Sequence, residues 1–289
     1  MKKMNEQLKY YNSKFALFIK RKIQAIHILF YKNTNKEFVN IIRDNRLYLS
    51  SIETFLTEDQ YEANDYGIPK KLFEHIDNEI NEYPTYSDLL VFISRNMDKV
   101  KINYLEIGVS VMKNYLQIVN QLSNSLIVGF DNNEINPNFS NKFTQLKSNY
   151  FTSELNENKL IYFIGDLLDE KDTDEFKSIN EKFDLIFSDA LHTKKGVMAE
   201  YRNIIKDSLS DTFVLYFDDL DFPDLMSASL EIFEDLKIQY NNLSFLTFDI
   251  HGWVGENEKF HRNGFITNID FDEIFKKEKI KLRNYKKII

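Results

Sequence analysis

The chain of 289 residues has no cysteine. Disulfides and thiolate-bound metals are excluded. The absence fits a reducing compartment, so a cytoplasmic location is the expectation. Glycine (8) and proline (4) are scarce as well. Few positions can then turn cheaply through positive φ, and each glycine that follows an apolar run carries information. No apolar run is long enough to cross a bilayer, so no transmembrane segment is expected. Basic charge is in deficit: 37 Lys and Arg against 45 Asp and Glu leave a net charge of -8, which argues against nucleic acid as a partner.

What is plentiful is apolar surface. Hydrophobic residues make up 43% of the chain, with 25 Phe and 16 Tyr, enough to bury a sizeable core. The basic N-terminus holds a short apolar stretch at 15–19, but Lys20, Arg21 and Lys22 interrupt it, so a secretory leader does not fit. Phe15, Phe18, Ile19, Ile23, Ile26 and Phe30 recur at helical spacing and predict an amphipathic helix. Such a helix packs on a core or forms a homo-oligomer; a basic membrane-surface helix is the alternative. Residues 1–98 read as mostly helical, with helices over 69–82 and 87–96 and short helices or extended pieces over 34–43 and 47–56. This region is expected to serve as a lid, a substrate wall or a dimer arm for a domain spanning 99–289.

From residue 100 the texture changes. Short apolar runs at 103–107, 126–130, 160–164, 183–187, 213–217 and 243–248 alternate with helical patterns over 111–122, 138–155, 172–179, 195–209 and 224–239. A last strand is expected near 265–267. Buried runs separated by helices predict a doubly wound α/β fold of Rossmann-like type, with a mostly parallel sheet. Such sheets bind ligands beyond the carboxyl ends of their strands.

Acidic residues gather at those ends. The first run reads Leu105-Glu106-Ile107-Gly108-Val109-Ser110, and the second closes in Gly129-Phe130-Asp131. The third ends in Gly165-Asp166, the fourth in Ser188-Asp189-Ala190-Leu191-His192 and the fifth in Asp218-Asp219. A lone acid after a strand is usually a helix cap; five in succession point to a site. A carboxylate such as Asp131 can accept hydrogen bonds from both hydroxyls of a ribose.

These motifs resemble the ordered motifs of class I S-adenosylmethionine-dependent methyltransferases, over roughly residues 100–250. The resemblance implies a seven-stranded sheet whose last strand is antiparallel. It implies that Glu106, Gly108 and Ser110 form the loop against the methionine part of S-adenosylmethionine. It further implies that Asp131 holds the ribose and that Asp166 lies near the adenine. Asp189, His192, Asp218 and Asp219 are similar to a metal-dependent O-methyltransferase subgroup that acts on sugars and other small hydroxylated metabolites. Carried over, Asp189, Asp218 and Asp219 would hold Mg²⁺, with Asp189 and His192 at the reaction centre. Two positions depart from the pattern. The family's loop commonly continues Gly-x-Gly-x-Gly, where this chain has Ser110 and Met112, so the Met112 side chain is expected to add bulk beside the cofactor loop. The subgroup often carries a further acid at the position of Leu191, which leaves His192 as the candidate base.

Two other functions compete. A weakened loop would suit a non-catalytic scaffold or regulatory protein on the same fold. A nicotinamide-dependent oxidoreductase would need a Gly-x-Gly-x-x-Gly loop, and only Gly108 is present there. After the sixth run, the Asp249-Ile250-His251-Gly252-Trp253-Val254-Gly255-Glu256 stretch reads either as a substrate-facing loop or as a hairpin leading into the last strand with Trp253 as a packing anchor, with His261 and Asn263-Gly264 following. With no Cys and no tight His spacing, a transition-metal site is not expected there. The basic tail, residues 275–287, reads as a solvated surface segment.

Overall fold

A computed structural model of the protein describes residues 33–56, 84–251 and 260–288. The helices expected over 15–30 and 69–82, and the Trp253 stretch, lie outside them.

The apolar runs become strands because each is short, β-rich and buried on both faces. Those that build the parallel centre are β1 (Asn103–Ile107), β2 (Leu126–Asp131), β5 (Asn158–Ile164), β6 (Phe183–Ser188) and β7 (Leu209–Phe217). Their pairing is parallel throughout, in the order β5-β2-β1-β6-β7. Beyond β7, β9 (Phe260–Thr267) runs antiparallel, and β8 (Ser244–His251) pairs antiparallel with β9. This is the doubly wound sheet with its last core strand reversed that the motifs implied.

The full sheet has ten strands, because three more extend its edges. Residues 138–155, expected to be helical, instead form the short helix α4 (Pro137–Ser140) and a hairpin of β3 (Thr144–Lys147) and β4 (Tyr150–Leu155). Aromatic and β-branched residues at Thr144, Tyr150, Phe151 and Thr152 favour strand, and β4 finds the open edge of β5. The tail is likewise not a solvated segment. Residues Arg283–Ile288 form β10 on the edge of β8, and Ile280, Leu282 and Tyr285 pack against the core. Lysines along that strand keep the new edge charged, which discourages further strand pairing.

Alternation along each strand feeds two cores. Tyr104, Ile127, Tyr162, Leu185 and Tyr216 face one side; Leu105, Val128, Phe163, Ile186 and Leu215 face the other. The first side is covered by α1 (Lys36–Leu56), α2 (Tyr86–Arg95), α3 (Lys113–Gln121) and α8 (Phe271–Lys277). The second is covered by α5 (Glu170–Lys177), α6 (Lys194–Glu200) with its π-turn (Tyr201–Ile205), and α7 (Pro223–Leu236). The pieces expected at 34–43 and 47–56 are one 21-residue helix.

Helix α1 belongs to the same core as the sheet. Phe38, Ile41 and Ile42 are buried with Phe92 and Leu89 of α2, and the Phe38 and Phe92 rings meet edge to face at 5.3 Å. A buried ion pair fixes the register: Arg46 reaches Asp88 Oδ2 at 2.7 Å, while Asn45 donates to Asp88 Oδ1 at 2.8 Å. Asp88 also accepts from the Thr85 amide at 2.7 Å, so one carboxylate caps α2 and docks α1. Removing either partner of such a pair leaves an uncompensated buried charge, worth about 3–5 kcal/mol.

Candidate active site

The carboxyl ends of β1, β2, β5, β6 and β7 open into one cavity of about 390 Å³. Glu106, Gly108, Ser110, Asp131, Asp166, Asp189, His192, Asp218 and Asp219 all line it. The topology explains the convergence. Parallel strands end on the same edge, so residues up to 113 positions apart in sequence meet there.

The loop after β1 turns through three left-handed residues at alternate positions: Gly108 (φ 88°), Ser110 (52°) and Met112 (71°). Those are the positions where the related motif has glycine. The backbone has thus kept the glycine-type path while two of the three residues carry side chains, at a cost of about 1–2 kcal/mol each. Met112 does not line the cavity. Its side chain is wholly buried in the core on the α3 side of the sheet, so the loop surface that faces the cavity stays slim. Gly108 has no such latitude. A Cβ there would stand 2.2 Å from the Asp189 backbone oxygen, so only glycine lets the β1 and β6 loops touch.

Asp131 braces that loop. Its Oδ2 accepts from the Val109 and Ser110 amides, each at 2.6 Å, and its Oδ1 from the Asn133 amide at 2.8 Å. Asp166 is exposed at the rim, where its Oδ1 accepts from the Leu168 amide at 2.8 Å. The cap of α5 is Asp169, not Asp166.

Glu106 points from β1 toward α3 and is 1% exposed. Tyr104 Oη and Asn114 Nδ2 each donate to its Oε2 at 2.8 Å. Burial pushes its carboxyl up to about 8, although those two donors pull the other way. Lys113, the next residue along the wall, is 8% exposed, and burial brings its ammonium down to about 8. Sequence reading had passed over Lys113, because a lysine opening a helix looks like surface.

Opposite lies the acidic end of the cavity. Asp189 and His192 follow β6; Asp218 and Asp219 follow β7. His192 Nε2 stands 3.4 Å from both Asp189 Oδ1 and Asp219 Oδ2. The hydrogen bond to Asp189 raises the imidazole to about 9. Asp218 accepts from the Asp219 amide at 2.7 Å and from the Asn263 amide group on β9, and Asn263 in turn accepts from Tyr216 Oη at 2.8 Å. Burial, then the neighbouring Asp189 and Asp219, push Asp218 up to about 7. Burial would also raise Asp219, but a 2.8 Å hydrogen bond with His261 Nδ1 outweighs it and holds that carboxyl low.

Two residues here were not picked out as site residues. His261 sits on the antiparallel strand β9, and only sheet pairing brings it to the cavity; its place in a His- and Gly-rich stretch was the available signal. Glu200, on α6, lies behind the β6 turn. It is fully buried, accepts from Ser188 Oγ, and accepts from the Leu191 amide at 3.4 Å. It therefore holds the turn that presents Asp189 and His192. Asp184, within the fourth motif, lies at the other end of β6 and clamps Lys99, the Asn103 amide and Ser210.

Ligand atoms of Asp189, His192 and Asp219 lie within 4.8 Å of one another, as do those of Asp218, Asp219 and His261. Asp219 is common to both groups. Each group thus pairs two carboxylates with a histidine, and the expected trio of Asp189, Asp218 and Asp219 is divided between them, though its oxygens are of the kind a hard divalent cation prefers. Burial first, and neighbouring carboxylates after it, raise both Asp189 and Asp218.

No family model matches the chain, and no curated protein matches it. Among solved structures, an O-methyltransferase from Bacillus cereus in complex with SAH is 16% identical; the alignment covers 77% of this chain and 99% of that one, with a TM-score of 0.44. TomG from Streptomyces achromogenes, an O-methyltransferase of tomaymycin synthesis in complex with SAM, is 11% identical, with 77% and 97% covered and a TM-score of 0.43. The MycE methyltransferase of mycinamycin biosynthesis, in complex with Mg, SAH and mycinamycin VI, is 13% identical, with 77% and 54% covered and a TM-score of 0.36. Likenesses this distant leave the chemistry to be read from the site itself.

Proposed function

We propose that the protein is an S-adenosylmethionine-dependent methyltransferase that methylates a hydroxyl of a sugar or another small metabolite, with Mg²⁺ assisting. One observation carries the reading: a glycine-type loop braced by a strand-end carboxylate shares a single cavity with a histidine set among three aspartates. The first half suits an adenosyl ligand, with Glu106, Gly108 and Ser110 along its amino-acid end, Asp131 at the ribose and Asp166 toward the adenine. The second half suits proton removal from an acceptor.

S-adenosylmethionine supplies an electrophilic methyl group on a cationic sulfonium, and a cavity rich in carboxylates favours that charge. Mg²⁺, held by Asp189, Asp218 and Asp219, would lower the pKa of an acceptor hydroxyl. His192 sits between Asp189 and Asp219, where it can receive the hydroxyl proton once its own has left. Leu191 takes no part in that chemistry; its backbone amide is tied to Glu200. The ring of Phe222, half exposed, stacks on His192 at 6.2 Å and offers an apolar wall for an acceptor.

Calorimetry with S-adenosylmethionine tests the cofactor without knowledge of the acceptor. Micromolar binding supports the reading, and no binding, with a nicotinamide cofactor bound instead, sinks it. For the metal, Asp218→Ala should abolish Mg²⁺-dependent turnover and leave cofactor affinity nearly intact. Turnover indifferent to both the substitution and a chelator removes the metal from the mechanism.

A further inference from the structure

We infer that Lys113 and the first turn of α3 form the receptor for the charged amino-acid head of the adenosyl ligand, with Lys113 holding its carboxylate. The inference rests on the cofactor reading above and names residues that the loop motif does not.

Three observations meet at this wall of the cavity. First, charge: Lys113 is the one lysine or arginine among the described residues that line the cavity; apart from Tyr86, its other ionisable groups are six acids and, at the opposite acidic end, His192 and His261. Carboxylates welcome a sulfonium and an α-ammonium, but they repel an α-carboxylate. A zwitterionic head therefore needs a cation on this wall, and Lys113 is there, 5.7 Å above the Tyr86 ring. Second, the nine-residue helix α3 starts at Lys113 with no side-chain cap among the described residues, its Met112 N-cap being left-handed and apolar. First-turn amides with no cap favour an anion. Third, Asn114 is 3% exposed and lines the cavity, and its Oδ1 has no hydrogen-bond partner among the described residues. A buried amide oxygen without a donor is costly unless a ligand supplies one. An α-ammonium does so, and the Glu106 carboxyl, already bound to Asn114 Nδ2, stands beside it as a further acceptor. Cation and anion receptors thus stand on adjacent residues, as the two ends of an α-amino acid require.

Two ligands separate this role from general support of the cavity. S-adenosylhomocysteine carries the amino-acid head; 5′-methylthioadenosine has the same adenosine and thioether without it. Each is titrated calorimetrically into the full chain, wild type and Lys113→Met, with thermal unfolding of both proteins as a check on folding. Lys113→Met should raise the Kd for S-adenosylhomocysteine about ten- to a hundredfold, the range of a charge-assisted hydrogen bond, and leave that for 5′-methylthioadenosine within about twofold. Lys113→Arg should recover most of the lost affinity. Equal losses for both ligands, or no loss for either, overturn the assignment while the cofactor reading stands. If wild type binds neither ligand, the cofactor reading falls and this inference falls with it. Should Lys113→Met not fold, Lys113→Arg and Lys113→Gln decide by the same ratio of the two Kd values.

Discussion

His261 Nδ1 lies 2.8 Å from Asp219 Oδ1, so a histidine on the antiparallel strand β9 orients a carboxylate at the end of the parallel strand β7. Asp219 itself is left-handed, at φ 55°, which turns its side chain back toward that strand. In the proposed metal site His261 is the outer partner of a ligand. His261→Ala should therefore raise the Mg²⁺ concentration for half-maximal turnover by about ten- to a hundredfold, with S-adenosylhomocysteine affinity unchanged. A magnesium titration of wild type and variant measures it, and superimposable curves would remove His261 from the site.

The contact between Gly108 and the Asp189 backbone predicts an intolerant position. Gly108→Ala places a methyl group against a carbonyl oxygen at a φ of 88°, so both loops must shift. Urea unfolding should show a loss of at least about 2 kcal/mol, and adenosyl ligand binding should weaken in parallel. Ser110→Ala is the contrast. Its Cβ is already accommodated at φ 52°, so its stability should change by less than about 0.5 kcal/mol.

Asp131 meets three amides with two oxygens, which an amide side chain cannot do. In Asp131→Asn the new NH₂ must face at least one backbone N–H. The ligand-free protein should lose about 1–3 kcal/mol, before any effect on ribose binding. Thermal unfolding without ligand checks this; an unchanged Tm would show that the loop does not depend on the carboxylate.

Glu200 predicts a pH dependence of stability. Burial raises its carboxyl from 4.5 to about 8, so the fold favours the protonated form. That contribution is fully present below about pH 4.5 and is lost as the pH rises through about 8. Glu106, at about 8, and Asp218, at about 7, act with the same sign. The ligand-free protein should accordingly lose stability between pH 5 and 8. In Glu200→Gln that decline should be shallower, though not absent, because the other two acids remain. Tm measured at intervals of half a pH unit tests it, and identical slopes would rule Glu200 out as a contributor.

Some of this was legible in one dimension. A strand whose two faces are both buried must be a continuous apolar run, and strand ends in a parallel sheet must share an edge. The residues closing those runs, from Glu106 to Asp219, could therefore be expected in one place before any contact was known. The hairpin at Thr144–Lys147 and Tyr150–Leu155 and the strand Arg283–Ile288 were not legible. β3 and β10 are the two edges of the sheet and β4 lies next to one; β3 is exposed and the other two are only partly buried, so their alternation is too weak to mark them as strands.

The glycine-type loop marks the division between the two levels. Local sequence determined that Gly108 turns the chain after β1. Tertiary structure decided that Ser110 and Met112 follow the same left-handed path, because Asp131 holds the amides of Val109 and Ser110 and the core takes in the Met112 side chain. The same is true of Lys113, Glu200 and His261. Burial sets the chemistry of the first two and the Asp219 carboxylate that of His261, and those surroundings come from distant segments that only the folded sheet brings together.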